Sequence, residues 1–321
     1  GSSALTGLVL APPLFLLLLA GNLGLYVPGV LLIREARVRW HTGWGSVLLL
    51  GTAYAIVEEG LALSTLFNSH AGVVGSLGFY GHFLGVSWVW LVGVVAVHIV
   101  FSISVPIYLL DIALPESRGV PWLSRRGTAV ALGVLALDTS VLMAVVAFGL
   151  RFFAGLPILL GSLAAIVGLV LAARWLPGDF LAPRTERPTT RPLVFGFLGF
   201  SFFPSVLVVE ALGGTWGAPA ALTFLAVVAL LIGLLFAMLR IVGRRDNEPH
   251  LLALAVGLIA PIAFVGLVSQ ISLPVVLGAD LAAAWFFLHL WRRYRRERIR
   301  VPEGALTPGR SAPNAPPPVR A

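Results

Sequence analysis

Apolar runs close to bilayer-spanning length fill this chain, and the short segments between them carry nearly all of its charge as arginine. A helix needs about 20 apolar residues to cross hydrocarbon. Inside the bilayer every backbone N–H and C=O must find a partner within the protein, which favours helices. A membrane barrel would instead alternate in segments of about ten residues, and no such alternation is present. Charged residues make up 11% of the chain, against about 25% in soluble domains. The reading is all-α: a polytopic integral membrane helical bundle with about ten transmembrane helices, forming one domain over residues 1–300. A Pro-rich tail, residues 301–321, holds six prolines and reads as disordered.

The predicted runs are 5–22, 24–39, 44–68, 86–111, 128–149, 156–173, 193–212, 218–239, 250–268 and 272–291. Pro12 and Pro13 predict a local bend, and Asn22 with Gly24 a turn, although 5–39 could also form a single span. With this count, alternate connections hold 21 of the 22 arginines, and only Arg151 falls on the other side. Positive charge is retained on the cytoplasmic side of a membrane. The reading is therefore an integral protein of the bacterial cytoplasmic membrane with a cytoplasmic C-terminus. The formal charge of +8 sits where lipid headgroups lie, so membrane lipids are the expected partners and nucleic acid is not. Without cysteine, disulfide and thiolate chemistry are excluded.

The stretch 47–68, VLLLGTAYAIVEEGLALSTLFN, places Glu58 and Glu59 side by side in an apolar run. Carboxylates in hydrocarbon are costly and usually face a protein interior or a wet cavity. Two adjacent ones resist joint ionisation, as in sites that hold a proton donor or base. Helix rise puts Glu58 about 15 Å and His98 about 18 Å below the outer surface. The two are thus expected to share a site, with the pair and His98 as candidate catalytic residues. Neighbouring helical residues differ in direction by about 100°, so one glutamate is expected to act while the other orients a partner. Tyr54, Asn68, Ser102, Asp138 and Asp280 are further polar-cavity candidates, and Thr65 is expected on a face similar to that of Glu58.

Two carboxylates and an imidazole can ligate a metal, activate water or relay a proton. No HExxH, GxSxG, P-loop or dinucleotide motif occurs, so no cofactor is implied, and whether a metal binds is open. GTAYAIVEEG followed by His98 resembles the CAAX-protease and bacteriocin-immunity family of glutamate-dependent intramembrane proteases. The resemblance implies that Glu58 and Glu59 are the double glutamate and His98 a later histidine, with a carboxylate activating water and polar partners stabilising the oxyanion. The pattern departs at Leu63, where that family has arginine, and at Val94, where it has phenylalanine. A third polar position has no clear counterpart, and Asp138 matches it only loosely.

The leading functional expectation is a membrane-embedded glutamate-type hydrolase acting on a membrane-inserted peptide or lipid. A proton-coupled transporter or channel, and a non-enzymatic scaffold or immunity protein, are the alternatives.

Overall fold

The computed structural model describes residues 12–183, 185–244, 247–268 and 273–300. The tail at 301–321 lies outside the described residues, as does the turn expected at 269–270.

Nine long helices are present among the described residues. They are α1 (Pro12–Arg39), α2 (Trp44–Ala62), α3 (Trp88–Ala113), α4 (Arg125–Gly149), α5 (Leu156–Trp175), α6 (Pro192–Thr215), α7 (Ala220–Ile241), α8 (Glu248–Val268) and α9 (Leu273–Arg300). Seven of them, α2 to α8, are long and apolar enough to cross a membrane. Their outward faces carry exposed Leu, Val, Phe and Trp, such as Leu137, Phe148, Leu193 and Leu222, the surface that lipid would cover.

The count departs from ten at the start of the chain, because the first two predicted runs are one helix. Pro12 and Pro13 open α1, where a missing N–H costs nothing. Asn22 and Gly24 continue it without a turn. Gly24 is needed for packing: a Cβ there would lie 2.8 Å from Asp138 Cγ on α4. The far end differs too. α9 runs on through WRRYRRERIR to Arg300, since Arg and Glu are good helix formers.

The predicted 44–68 helix stops early, at Ala62. Its last seven residues, Ile56–Ala62, form a π-helical turn. The amide of Leu63 donates to the Glu58 carbonyl at 2.8 Å, and that of Leu66 to the Glu59 carbonyl at 3.2 Å. Gly60 weakens the helix, and Ser64 adopts a left-handed φ of 54°, which ends it. Thr65 and Asn68 therefore lie in the following connection. That connection closes over the ends of α2 and α3 with a hairpin, β1 (His82–Phe83) and β2 (Val86–Ser87). Leu84 and Gly85 both have positive φ in its tight turn.

α3 contains a second π segment, His98–Ser104, just before Pro106. A proline inside a helix removes a hydrogen bond and clashes with the carbonyl four residues back. Widening the preceding turns relieves that clash.

Small residues let the helices meet closely, as in other membrane bundles. A Cβ on Gly51 of α2 would sit 3.3 Å from Ile99 Cα of α3. Ser46 of α2, fully buried, donates to the Ala173 carbonyl of α5 at 2.8 Å. Val30, Ile33, Val47, Leu50, Tyr54, Ile103 and Ile107 form the core between α1, α2 and α3. The arginine-bearing end is tied by Arg34, which is 1% exposed. It donates to the Ser117 and Val120 carbonyls at 2.8 and 3.2 Å and stacks 3.7 Å from the Trp122 ring. Glu35 accepts from the amides of Trp122 and Leu123 beside it. Asp111 pairs with Arg37 at 2.9 Å.

Candidate functional site

The two π turns face each other. From α2, Glu58 and Glu59 are buried, and from α3, His98 is 5% exposed. The imidazole lies between the two carboxylates. Its Nε2 is 3.0 Å from Glu59 Oε1, and its Nδ1 is 3.3 Å from Glu58 Oε2. π-Helical turns are rare and recur at functional sites, and here the chemistry shows why one is needed. The 100° spacing of an α-helix would have aimed the two carboxylates apart. In the wider turn both reach one ring, from opposite sides, which corrects the expectation that only one could face the centre.

The two glutamates are not equivalent. Glu59 is fully engaged: Thr65 Oγ1 donates to its Oε2, and His98 holds its Oε1. Trp90 Nε1 donates in turn to Thr65 Oγ1 at 3.3 Å. The early end of α2 makes this possible, because it curls Thr65 back over the carboxylate. Glu58 is left freer. His98 Nδ1 is hydrogen-bonded to Ser102 Oγ at 3.0 Å, one α3 turn away, and Glu58 Oε2 has no hydrogen-bond partner among the described residues.

Two phenols flank Glu58. Tyr54 lies one turn before it on α2, and Tyr26 comes from α1, both near enough to act on its carboxylate. The Tyr26 ring stacks on His98 with centroids 6.4 Å apart and lies 6.1 Å from the Tyr54 ring. The buried Tyr54 hydroxyl, like Glu58 Oε2, lacks a hydrogen-bond partner among the described residues. Side by side, this donor and acceptor can serve each other, or a water or substrate carbonyl placed between them.

Of the other candidates, Ser102 joins the cluster through His98. Asp138 stands behind it, its carboxyl against Gly24 of α1 and within electrostatic reach of Tyr54. Asn68 does not join, because its side chain accepts from the His70 amide at 3.0 Å and caps a turn. Asp280 lies on α9, which packs along α8, and it is not part of the Glu58, Glu59 and His98 group. Glu210 is 4% exposed on α6 and packs against Gly93 of α3. Tyr26 was missed because the expected turn at 22–24 placed it at a helix start. Its signal was a phenol between Gly24 and Gly29 in an otherwise apolar run.

Each member of the Glu58, Glu59 and His98 group offers one ligand atom within 4.8 Å of the others, close enough to gather round a divalent cation. The carboxylates, however, take opposite ring nitrogens. A metal on one nitrogen would require the carboxylate at the other to swing across. The geometry as it stands is that of an imidazole oriented between two carboxylates.

Comparison with models of known protein families, with curated proteins and with solved structures finds no match.

Proposed function

We propose that this protein is a glutamate-type hydrolase of the bacterial cytoplasmic membrane, acting on a membrane-inserted peptide or a lipid. One observation carries the reading: a buried imidazole is held between two glutamates, with the Tyr54 and Tyr26 phenols beside the Glu58 carboxylate. Glu58, Glu59 and His98 all lie on helices of spanning length, which supports chemistry within the bilayer. An oriented base within hydrogen-bond reach of a water is the first requirement of general-base hydrolysis.

In this reading Glu58 takes a proton from water, and the hydroxide adds to the substrate carbonyl carbon. The Tyr54 and Tyr26 hydroxyls donate to the oxyanion that forms. The C–N or C–O bond then breaks, and the leaving group takes the proton held by Glu58 and His98. Glu59 and Thr65 keep the ring in place, so they act as positioning residues. The resemblance of GTAYAIVEEG and His98 to the CAAX-protease and bacteriocin-immunity family points the same way. In this reading the arginine-bearing connections and the C-terminus face the cytoplasm, where positive charge is retained.

The test compares membranes containing the wild-type chain with membranes containing Glu58→Gln, which keeps shape and removes the base. Mass spectrometry reads new peptide termini in membrane proteins and newly released fatty acids. Products formed by the wild type and lost in a folded Glu58→Gln protein support the reading. Identical product profiles overturn it.

A further inference from the structure

α6, α8 and α9 line an open groove of about 1050 Å³ on the outer surface of the bundle, and Glu58, Glu59 and His98 are not among its lining residues. Leu193, Phe197, Leu252, Val256, Leu288 and Trp291 are among its walls, and no lining side chain is charged. The groove lies at the arginine-bearing end, where α6 and α8 begin and α9 passes Trp291. The volume is at the upper end of what pockets for small ligands enclose. The groove is open to its surroundings, and small residues contribute to its lining. Gly196, Ala253, Gly257 and Ala284 are among its lining residues, and Gly257 is held small by packing. A Cβ on Gly257 would lie 2.0 Å from the Gly196 carbonyl oxygen.

Charge stands at the rim. Arg191 is the immediate neighbour of Pro192, and Arg292 that of Trp291, and both arginines are exposed. They belong to different elements at the same end of the groove, where Glu248, the neighbour of the lining Pro249, is paired with Arg118 at 3.5 Å. An occupant that fits must be long and apolar, with an anionic group at one end. Basic pockets between membrane helices select anionic headgroups, and guanidinium is the side chain best shaped for phosphate.

We propose that this groove is a binding site for an anionic phospholipid, its acyl chain lying along α6, α8 and α9 and its phosphate held by Arg191 and Arg292. The site is separate from the Glu58 and His98 cluster, and the proposal stands whether or not that cluster is catalytic. A neutral lipid would fill the same groove but gain nothing from the arginines, so headgroup selectivity is the signature.

The experiment is native mass spectrometry of the full chain released from nanodiscs of mixed phosphatidylglycerol and phosphatidylcholine. The expected result is preferential retention of phosphatidylglycerol. In the Arg191→Gln/Arg292→Gln double variant that preference falls about tenfold, two arginines near a membrane surface each contributing modestly, while phosphatidylcholine retention is unchanged. A second variant, Ala284→Trp, fills the groove from its exposed α9 wall and should remove the retained lipid of either kind. Both variants are checked for an unshifted elution volume and melting profile. Equal retention of the two lipids by the wild type overturns the proposal, as does a double variant that keeps the preference. Retained phosphatidylglycerol in a folded Ala284→Trp protein places the lipid elsewhere and also overturns it.

Discussion

Gly29 on α1 and Tyr54 on α2 are in contact that no other residue at position 29 would permit. A Cβ there would stand 2.4 Å from Tyr54 Cε2, in the middle of a ring that is 4% exposed. The absence of a side chain on α1 thus sets where a phenol of the candidate site lies. Gly29→Val should push Tyr54 away from Glu58 and cost about 1–3 kcal/mol, the usual penalty of overpacking. A lowered melting temperature in detergent, with loss of product formation, is the expected result. An unchanged melting profile would show that α1 yields without strain.

The glutamates should separate by function. Glu58→Gln is expected to lower hydrolysis about 10²–10⁴-fold, the range for a general base, and to cost less stability than loss of Glu59, because it keeps the side chain's shape and gives up only the charge facing His98 Nδ1 at 3.3 Å. Glu59→Ala should act on both. It removes the partner of His98 Nε2 and of Thr65, and breaking a buried pair costs about 3–5 kcal/mol. Parallel melting and product measurements on the two variants check this. Equal destabilisation by both would mean the pair acts only in packing.

The clasp at the arginine-bearing end gives a prediction free of the catalytic reading. Arg34 meets two carbonyls and an indole face at once, which suits a planar fork and not a single ammonium. Arg34→Lys should therefore fail to rescue the fold, and limited proteolysis should cut the 114–124 segment in both Arg34→Lys and Arg34→Gln. Protection of that segment in the lysine variant would show that charge alone is enough.

The arginine pattern is open to labelling, because the chain has no cysteine of its own. Single cysteines at Arg118 and Arg187 should be shielded from an impermeant maleimide in intact cells, and one at Arg151 should react. Labelling of Arg118→Cys from outside would reverse the proposed orientation.

What could be read from the sequence was what rests on composition along one helix. The apolar runs, the Glu58–Glu59 pair, His98 and the arginine alternation are local patterns, and a helix rise was enough to bring the trio to similar depth. What could not be read depends on neighbours. Asn22 and Gly24 look like a turn until Asp138 is seen to need the space at Gly24. The end of α2 at Ala62 turns on the left-handed Ser64, and Thr65 then meets Glu59 through a curl that helical spacing does not contain. Tyr26 joins the site only because α1 is continuous. The π turns lie between these cases: Pro106 announces a disturbance in α3, but its extent back to His98 requires the backbone.

That link from Pro106 to His98 is the last prediction. Pro106→Ala restores an amide and relieves the clash that widens His98–Ser104. An α-helical α3 would turn the His98 ring relative to its present place between Glu58 Oε2 and Glu59 Oε1, and Ser102 would keep its place one turn below. Alanine is also the better helix former, so the variant should melt at the same temperature as the wild type or a higher one. Its product formation should nevertheless fall, since a base and its partner act only within hydrogen-bond reach. Gained or equal stability with lost activity would identify the π segment as a positioning device, a local departure from the best helix retained for the site. If Pro106→Ala melts no lower and keeps full activity, the widened turn is not what holds His98 between the two carboxylates.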